Sequence, residues 1–503
     1  RESPFGGEAY RYRLKVREAT YEGDYEAIAE LEQFHSASAK EVVALWVCTQ
    51  CQKTIPANAK PLCDCGGEAR LKEIRGSTPA SRFLVLELAE RLPFEPRILG
   101  YLRLDPPIPR MHRRTPEGVE RDIRERIFPR DWFHPTYEGG ADWQKALDRV
   151  NTAAARIARV VVHPDYRSEG FGALLVRVAL EWAKERGAPE ARREKHLVYT
   201  IAQMARYHPF FEKVGFRYLF DTASGRPVLF YPLTEEAEAH LERFLREDPY
   251  AKAHGGRLYK PRFGRVPGLP GPIRLAGVHK AYRSHLDLEG LSREVQEALL
   301  AFGVKARVVE RAVLRGASLE IPPGSLVVLA GASGAGKTTL LRLLLGEAPD
   351  AGEVAVPPGR RVAYIPGERE VDLGEAPILE AVYRRLKDVG AAIEVLNRVG
   401  LSDAVLYRAR PHELSTGQRE RFRLALLLAE RPDLLLIDEF AAHLDVPTAR
   451  RVALGLGKLC REAGVTLVAA THRPEVVAAL DPDILVYGGY GGLTTVPRRG
   501  PRT

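Results

Sequence analysis

Sulfur is scarce in this chain: 503 residues hold 5 cysteines and 2 methionines. So few cysteines exclude a disulfide framework as the basis of the fold. No apolar run reaches the roughly eighteen residues that a membrane-spanning helix needs. Arg1-Glu2-Ser3-Pro4 does not read as a secretory leader, and no internal repeat is visible. These absences point to a cytoplasmic chain that makes no membrane crossing. Charge, by contrast, is plentiful: 75 Lys and Arg against 66 Asp and Glu give a net +9. Basic residues crowd positions 110–130, 192–195, 257–265 and 498–502. Any one of these is an ordinary solvated face, and together they suit RNA or DNA as a partner. The length allows about two to four domains.

Four of the cysteines lie together, Cys48, Cys51, Cys63 and Cys65, in the pattern C-x2-C-x11-C-x-C. Two close pairs on a short loop place four thiolates around one zinc ion, and four thiolates leave no open catalytic position. Lys53, Pro56, Lys60, Pro61, Gly66 and Gly67 suit the tight turns of a ribbon. The alternative is a pair of disulfides, which the reducing cytoplasm and the isolated Cys460 disfavour.

Farther along, Ala317–Ala330 reads as two strands around a turn, and the second runs into Gly331-Ala332-Ser333-Gly334-Ala335-Gly336-Lys337-Thr338. A helix follows from Thr338. Strand, G-x-x-x-x-G-K-[ST] loop and helix form a phosphate cradle of backbone N–H groups with a lysine reaching in. Downstream stand Leu414-Ser415-Thr416-Gly417-Gln418, then Leu434–Glu439, Leu444-Asp445 and Thr471-His472. In that order these elements resemble the ABC-type ATPases. The resemblance implies ATP and Mg2+. It assigns Gly331, Ser333, Gly334, Gly336, Lys337, Thr338 and Thr339 to the phosphates, and Thr338 and Asp438 to the metal. Glu439 orients or deprotonates the attacking water, and His472 contacts the γ-phosphate. Ser415, Gly417, Gln418 and Asp445 serve the nucleotide of a facing copy, which implies a homodimer through the ATPase domains. Thr416 stands for the family's glycine, Gly367 for its glutamine, and no aromatic just before Leu314 offers itself to adenine.

In the first half, Arg159–Val162 reads as a buried strand ending at Pro164. It is followed by Asp165-Tyr166-Arg167-Ser168-Glu169-Gly170-Phe171-Gly172 and an amphipathic helix to Arg186. Glycines at a strand-to-helix passage let N–H groups and the helix dipole hold a pyrophosphate. The segment resembles the coenzyme-A loop of the GNAT acetyltransferases. That resemblance implies acetyl-CoA held at Val160, Val162, Arg167, Gly170, Phe171 and Gly172. The flanks agree: a strand over Tyr12–Ala19, a helix over Asp24–Phe34, strands over Phe83–Glu90, Arg97–Leu104, His196–Thr200 and Arg226–Leu233, and a closing helix at Pro209–Phe216. The family's acid tyrosine falls on Phe211, which has no hydroxyl. Tyr207 and, after it, Tyr199 are the substitutes, and no general base is identified.

The expected fold is a multidomain α/β chain. A GNAT-like mixed sheet occupies 1–45 and 71–235, interrupted by a zinc ribbon over 46–70 and a helical insertion around 113–155. A linker and helical region covers 236–303, with Gly255–Pro272 as hinge and Arg274–Phe302 mainly helical. An ABC-type domain covers 304–495. The expected function is an ATP-dependent acyltransferase on nucleic acid, with RNA such as tRNA ahead of DNA. A DNA base-modifying enzyme, an ATP-gated protein N-acetyltransferase and a non-catalytic nucleic-acid clamp remain as alternatives.

Overall fold

The computed structural model of the chain describes residues 12–32, 34, 44–74, 76–77, 80–93, 95–108, 110–133, 152–167, 170–186, 194–305, 307–367, 372–489 and 492–497. The chain divides after Lys260 into two compact units.

The first unit opens with β1 (Leu14–Glu18) and α1 (Glu22–Glu32). Next, β2 (Ala44–Cys48), β3 (Thr54–Pro56) and β4 (Ala69–Ile74) make a separate sheet in the order β3-β2-β4. That ribbon therefore takes in residues on both sides of 46–70. Then come β5 (Arg82–Leu88), β6 (Ile98–Asp105), the small hairpin β7 (Arg113–Thr115) and β8 (Gly118–Glu120), and α2 (Ile123–Ile127). They are followed by β9 (Ala154–Val162), α3 (Phe171–Arg186), β10 (Leu197–Ile201), β11 (Arg217–Asp221), β12 (Pro227–Pro232), α4 (Glu235–Glu247) and α5 (Pro249–His254).

The main sheet runs β1-β5-β6-β9-β10-β12-β11. Its apolar residues alternate between faces, as half-buried strands require. One face packs Leu84, Leu102, Val198 and Leu229 under Leu175, Val176 and Ala179 of α3. The other packs Val85, Tyr101 and Val161 under α1, and Tyr199 and Phe230 under Leu241 and Phe244 of α4. Only β9 and β10 pair in parallel, from Ala154–Ile157 to Leu197–Thr200. Beyond Ile157, β9 keeps its ladder to β6 alone.

Two expectations change in this unit. The closing helix is a short turn, Glu212–Val214. It is confined between Pro209, which lacks an N–H, and Gly215 at φ +111°. The helical insertion contains the β7–β8 hairpin and the single helical turn of α2, while 134–151 lie outside the described residues. The Gly/Pro-rich stretch contains the division after Lys260 and is anchored on each side of it. Leu258 and Tyr259 N–H donate to the Glu212 carboxylate, and Arg262 and Phe263 N–H to buried Glu394. Each set of bonds stays within its own unit.

The second unit begins with β13 (Ile273–Leu286), α6 (Arg293–Ala301), β14 (Arg307–Ile321), β15 (Leu326–Gly331) and α7 (Lys337–Leu344). Then follow β16 (Ala351–Ala355), β17 (Val362–Ile365), α8 (Ile378–Leu386), α9 (Val389–Arg398), α10 (Thr416–Ala429) and β18 (Leu434–Ile437). Last are α11 (Val446–Ala463), β19 (Thr466–Ala470), α12 (Pro474–Leu480), β20 (Ile484–Gly489) and β21 (Gly492–Pro497). Arg274–Phe302 is thus a long strand and then a helix, because β13 is held between β14 and β16. The six-stranded sheet runs β17-β18-β19-β15-β20-β21, parallel except for β21. Its central strands are buried aliphatic runs, as sheets covered on both faces demand. Among the described residues no helix is long and apolar enough to cross a membrane.

Helix α11 crosses α9 so closely that a Cβ on Gly455 would sit 2.0 Å from the Arg398 carbonyl oxygen. Gly455→Ala should therefore destabilise the second unit by about 1–3 kcal/mol despite alanine's better helix propensity. Urea unfolding checks this, and an unshifted midpoint contradicts it.

Candidate functional site

β15 is buried along its length and ends at Gly331, so the turn to α7 emerges between β19 and β20. Crowding there, by backbone at Gly331 and by a side chain at Gly334, leaves little room for side chains. A Cβ on Gly331 would lie 2.4 Å from Gly488 O, and one on Gly334 2.7 Å from Arg311 Nη2. Gly336, at φ +89°, immediately precedes α7. Lys337 Nζ donates to the carbonyls of Gly331 at 2.8 Å and Ala332 at 2.9 Å, so its ammonium lies across the loop. Ser333 is exposed on the loop, and Thr338 and Thr339 follow in the first helical turn. N–H groups converging at a helix start beside an ammonium fit a polyphosphate.

Buried β18 delivers Asp438 and Glu439. Asp438 Oδ1 accepts from the Glu439 N–H at 3.1 Å. Glu439 holds φ +50°, a left-handed conformation that costs a non-glycine residue about 1–2 kcal/mol. Its carboxylate lies against Gly367, where a Cβ would stand 3.0 Å from Oε2. A side chain at 367 would crowd the Glu439 carboxylate. A cleft of about 900 Å³ opens beside Gly367, Asp438, Glu439, Thr416 and Arg419, and its lining includes none of Gly331–Thr338.

Ser415 and Gln418 form a reciprocal cap: Ser415 N–H donates to Gln418 Oε1 at 2.9 Å, and Gln418 N–H to Ser415 Oγ at 3.3 Å. Gly417 is small because a Cβ would meet Leu444 at 3.0 Å. Among the described residues no hydrogen bond joins Ser415–Gln418 to the phosphate loop of the same chain. Asp445 caps α11, accepting from Thr448 N–H at 3.0 Å. His472 is exposed just after buried Thr471. Sequence reasoning missed Tyr282. On β13 it pairs directly with Arg311 of β14, whose Nη2 donates to Gly334 O at 3.3 Å. That aromatic stands one cross-strand step from the phosphate loop, and the inserted α6 hides it by separating it from Leu314.

In the first unit, the edge of β9 from Ala158 to Val162 has no ladder on the β10 side. Val160 and Val162 pack toward α3. Arg167 turns back on the backbone, its Nε donating to Val162 O at 3.1 Å and its Nη2 to Phe34 O at 2.8 Å. Gly170, at φ +85°, immediately precedes α3, whose first residue Phe171 is buried. A Cβ on Gly172 would lie 3.2 Å from the Phe210 ring. Ser168 and Glu169 lie outside the described residues.

The tyrosines fare unequally. Tyr199 is fully buried on the sheet face opposite α3 and stacks on Phe230. Its oxygen accepts from Ile108 N–H at 2.8 Å and Arg124 Nη1 at 3.4 Å, which ties it into the core on the side away from α3. Tyr207 is half-buried at the end of the short turn Gln203–Arg206. Phe211 is packed between Phe210 and Phe216. His208, which the sequence did not single out, has a buried Nδ1 with no hydrogen-bond partner, and burial pushes its pKa down to about 4. It is a neutral imidazole at ordinary pH.

The four cysteines converge. Cys48–Cys65 and Cys51–Cys63 Sγ atoms stand 3.5 Å apart, Cys63–Cys65 3.4 Å, and all four lie within 4.8 Å. Thiolates at about 2.3 Å from one zinc ion would be separated by about 3.8 Å, so the cluster fits with a slight relaxation. A Cβ on Gly67 would meet Cys48 Sγ at 2.7 Å. The Cys51 N–H lowers the Cys48 thiol pKa to about 6, toward the ligating thiolate.

Both units resemble known protein families. Residues 314–442 match the ABC transporter family model. The zinc import ATP-binding protein ZnuC of Ruegeria pomeroyi is 34% identical over 198 residues, spanning 38% of this chain and 75% of that protein. This chain belongs to the ABC ATPase family. The methionine import ATP-binding protein MetN of Mesorhizobium japonicum is also 34% identical, over 215 residues, but the chain covers only 58% of its length. A bacterial ABC transporter cassette solved as a dimer aligns at 22% identity, with 45% of this chain, 99% of that one and a TM-score of 0.34. Residues 138–218 match the acetyltransferase (GNAT) domain model, so the ABC ATPase is joined to a GNAT domain. The first domain indicates ATP hydrolysis and the second acetyltransferase activity, with ATP and acetyl-CoA as their ligands.

The ABC ATPase chain should carry one zinc ion per copy. Chelation should release it and perturb fluorescence from Trp46, which is buried beside the cluster and donates to Ala57 O at 2.8 Å. Metal analysis showing no zinc contradicts the ribbon.

Proposed function

We propose that the chain is a cytoplasmic, ATP-dependent acetyl or acyl transferase acting on nucleic acid, with RNA such as tRNA preferred over DNA. Two copies face each other through their ATPase domains. The observation that carries this reading is the pair of strand–glycine–helix phosphate turns, at Gly170 and Gly336, on one chain. The exposed cap at Ser415–Gln418, which makes no hydrogen bond to its own phosphate loop, supports a facing copy as its target. A net charge of +9 and a ribbon that forms its own sheet support a large anionic acceptor.

In this reading the loop N–H groups and Lys337 hold the ATP phosphates, and Tyr282 gives the adenine a face. Thr338 and Asp438 supply oxygen donors for Mg2+, which neutralises phosphate charge when bound. Glu439 receives the proton of the attacking water, and His472 senses the γ-phosphate. Asp445 acts through the geometry of α11, which it caps. In the GNAT domain the Gly170–Gly172 turn holds the CoA pyrophosphate and the open edge of β9 pairs with the pantetheine arm. Tyr207 and His208 remain to move the protons of transfer.

A second reading has a specific observation behind it. Phe211 lacks a hydroxyl and Tyr199 is committed to the core, so the GNAT domain would bind CoA in a clamp without transferring its acyl group. Mass spectrometry of nucleosides from RNA and DNA incubated with the protein, acetyl-CoA and ATP decides between them. A nucleoside heavier by one acetyl group supports transfer, and only unmodified nucleosides from both polymers leave the clamp. Glu439→Gln should accumulate an ATP-bound dimer visible by light scattering, with ATP turnover down by about a hundredfold or more. Wild-type turnover removes Glu439 from its role.

A further inference from the structure

The small β7–β8 hairpin of the GNAT unit has two unlike faces. Successive strand residues point to opposite sides, and here Arg113 is buried while Arg114 is exposed. On the inner side Arg113 donates from Nη1 to Asp248 Oδ1 at 2.9 Å and from Nε to Glu120 Oε2 at 2.9 Å. Arg126 closes the lattice, donating to Glu120 Oε1 at 2.6 Å and to Asp248 Oδ2 at 2.7 Å. Two guanidinium groups thus meet two carboxylates, and Asp248 also caps α5. This balanced cluster fixes the hairpin from within.

The outer side carries Arg114, paired across the hairpin with exposed Val119, and Arg121 follows directly after β8. A bridge between Arg113 and Thr222 sets the hairpin beside the β11–β12 turn. There the Arg114 guanidinium lies against Gly225, where an added Cβ would stand 3.7 Å from its Nη1, and Arg226 comes next in the chain. The carboxylates of both hairpins are claimed from other directions. Glu117 accepts from the Tyr250 hydroxyl, Glu120 belongs to the inner lattice, and Asp221 accepts from Arg206 and from the Tyr218 hydroxyl at 3.0 Å. Asp122, the first acid after β8, has its Oδ1 3.8 Å from His112 Nδ1. Arg114, Arg121 and Arg226 are exposed, and among the described residues their side chains enter no hydrogen bond or ion pair.

Exposed arginines cost little in water, so their number alone assigns no partner. Their place in the sheet does. Arg226 stands just before β12, whose Val228 pairs with Ile201 at the end of β10. Because β9 and β10 run in parallel, the open edge of β9 lies toward that same end. The order β9-β10-β12-β11 puts three strand spacings between that edge and the strand beside the hairpin. At about 4.8 Å each they make about 14 Å, the rise of about four stacked nucleotides.

We propose that Arg114, Arg121 and Arg226 form a landing surface for the sugar–phosphate backbone of a single-stranded nucleic acid whose reacting nucleotide lies at the open edge of β9. The planar guanidinium fork matches phosphate oxygens, and phosphate contacts set the register of a strand without reading its bases. This surface rests on the nucleic-acid reading above, and the test separates the two.

Fluorescence anisotropy of the full chain with a fluorescein-labelled, mixed-sequence single-stranded RNA is measured across a salt series. The wild type is compared with R114Q/R121Q/R226Q, with R114K/R121K/R226K, which retains the charge, and with R177Q/K184Q, which removes two exposed cations from α3 instead. CoA titration and ATP turnover, expected unchanged, report that each variant is folded. The glutamine triple should bind RNA at least about tenfold more weakly, with a salt slope shallower by about 0.7 for each phosphate no longer neutralised. The lysine triple should recover most of that slope, and the α3 pair should keep the wild-type affinity. Wild-type affinity and slope in the glutamine triple, or an equal loss per charge in the α3 pair, overturn the surface while leaving the nucleic-acid reading intact. A wild-type chain that does not bind the RNA overturns both.

Discussion

A glycine held at positive φ immediately before a helix is the constraint on which both units depend. Gly170 stands at φ +85° ahead of α3 and Gly336 at φ +89° ahead of α7. A side chain pays about 1–2 kcal/mol for that conformation, and glycine does not. With the glycine in place, the chain leaves a buried strand, reverses, and presents the first N–H groups of a helix to one point. Those unpaired donors and the positive end of the helix dipole make a phosphate site from backbone alone.

The rest of each fold positions that turn. In the ABC domain, β15 lies between β19 and β20, so the loop emerges beside β19, which leads into Thr471 and His472. Beyond β19, β18 ends in Asp438 and Glu439. Gly367 and Glu439 are neighbours in space: a Cβ at 367 would come within 3.0 Å of the carboxylate. In the GNAT domain the parallel β9–β10 pair parts after Ile157 and leaves a strand edge leading to its own turn.

Much of this was legible in the sequence because it is local. A phosphate loop must be contiguous, and four thiols around one zinc ion must come as two close pairs, so spacing reveals both. Burial and long-range pairing were not legible. Tyr199 was a plausible acid by position, but its alternation on β10 sends it to the face away from α3. Arg274–Phe302 mixes a strand with a helix, and the β-pattern of Ile273–Leu286 makes sense only beside β14 and β16. Tyr282 escaped notice because its link to the loop runs across a ladder to Arg311. The closing helix is cut to one short turn because Pro209 lacks an N–H and Gly215 ends it.

The account's central claim is that one chain holds two separate phosphate-binding turns, each serving its own ligand. Isothermal titration of CoA and of ATP into the wild type and Gly170→Glu tests it most directly. The variant places a side chain and a negative charge in the turn ahead of α3, far in sequence from Gly336. The account predicts that CoA binding is lost and ATP binding is kept. Undiminished CoA affinity in the variant would contradict it.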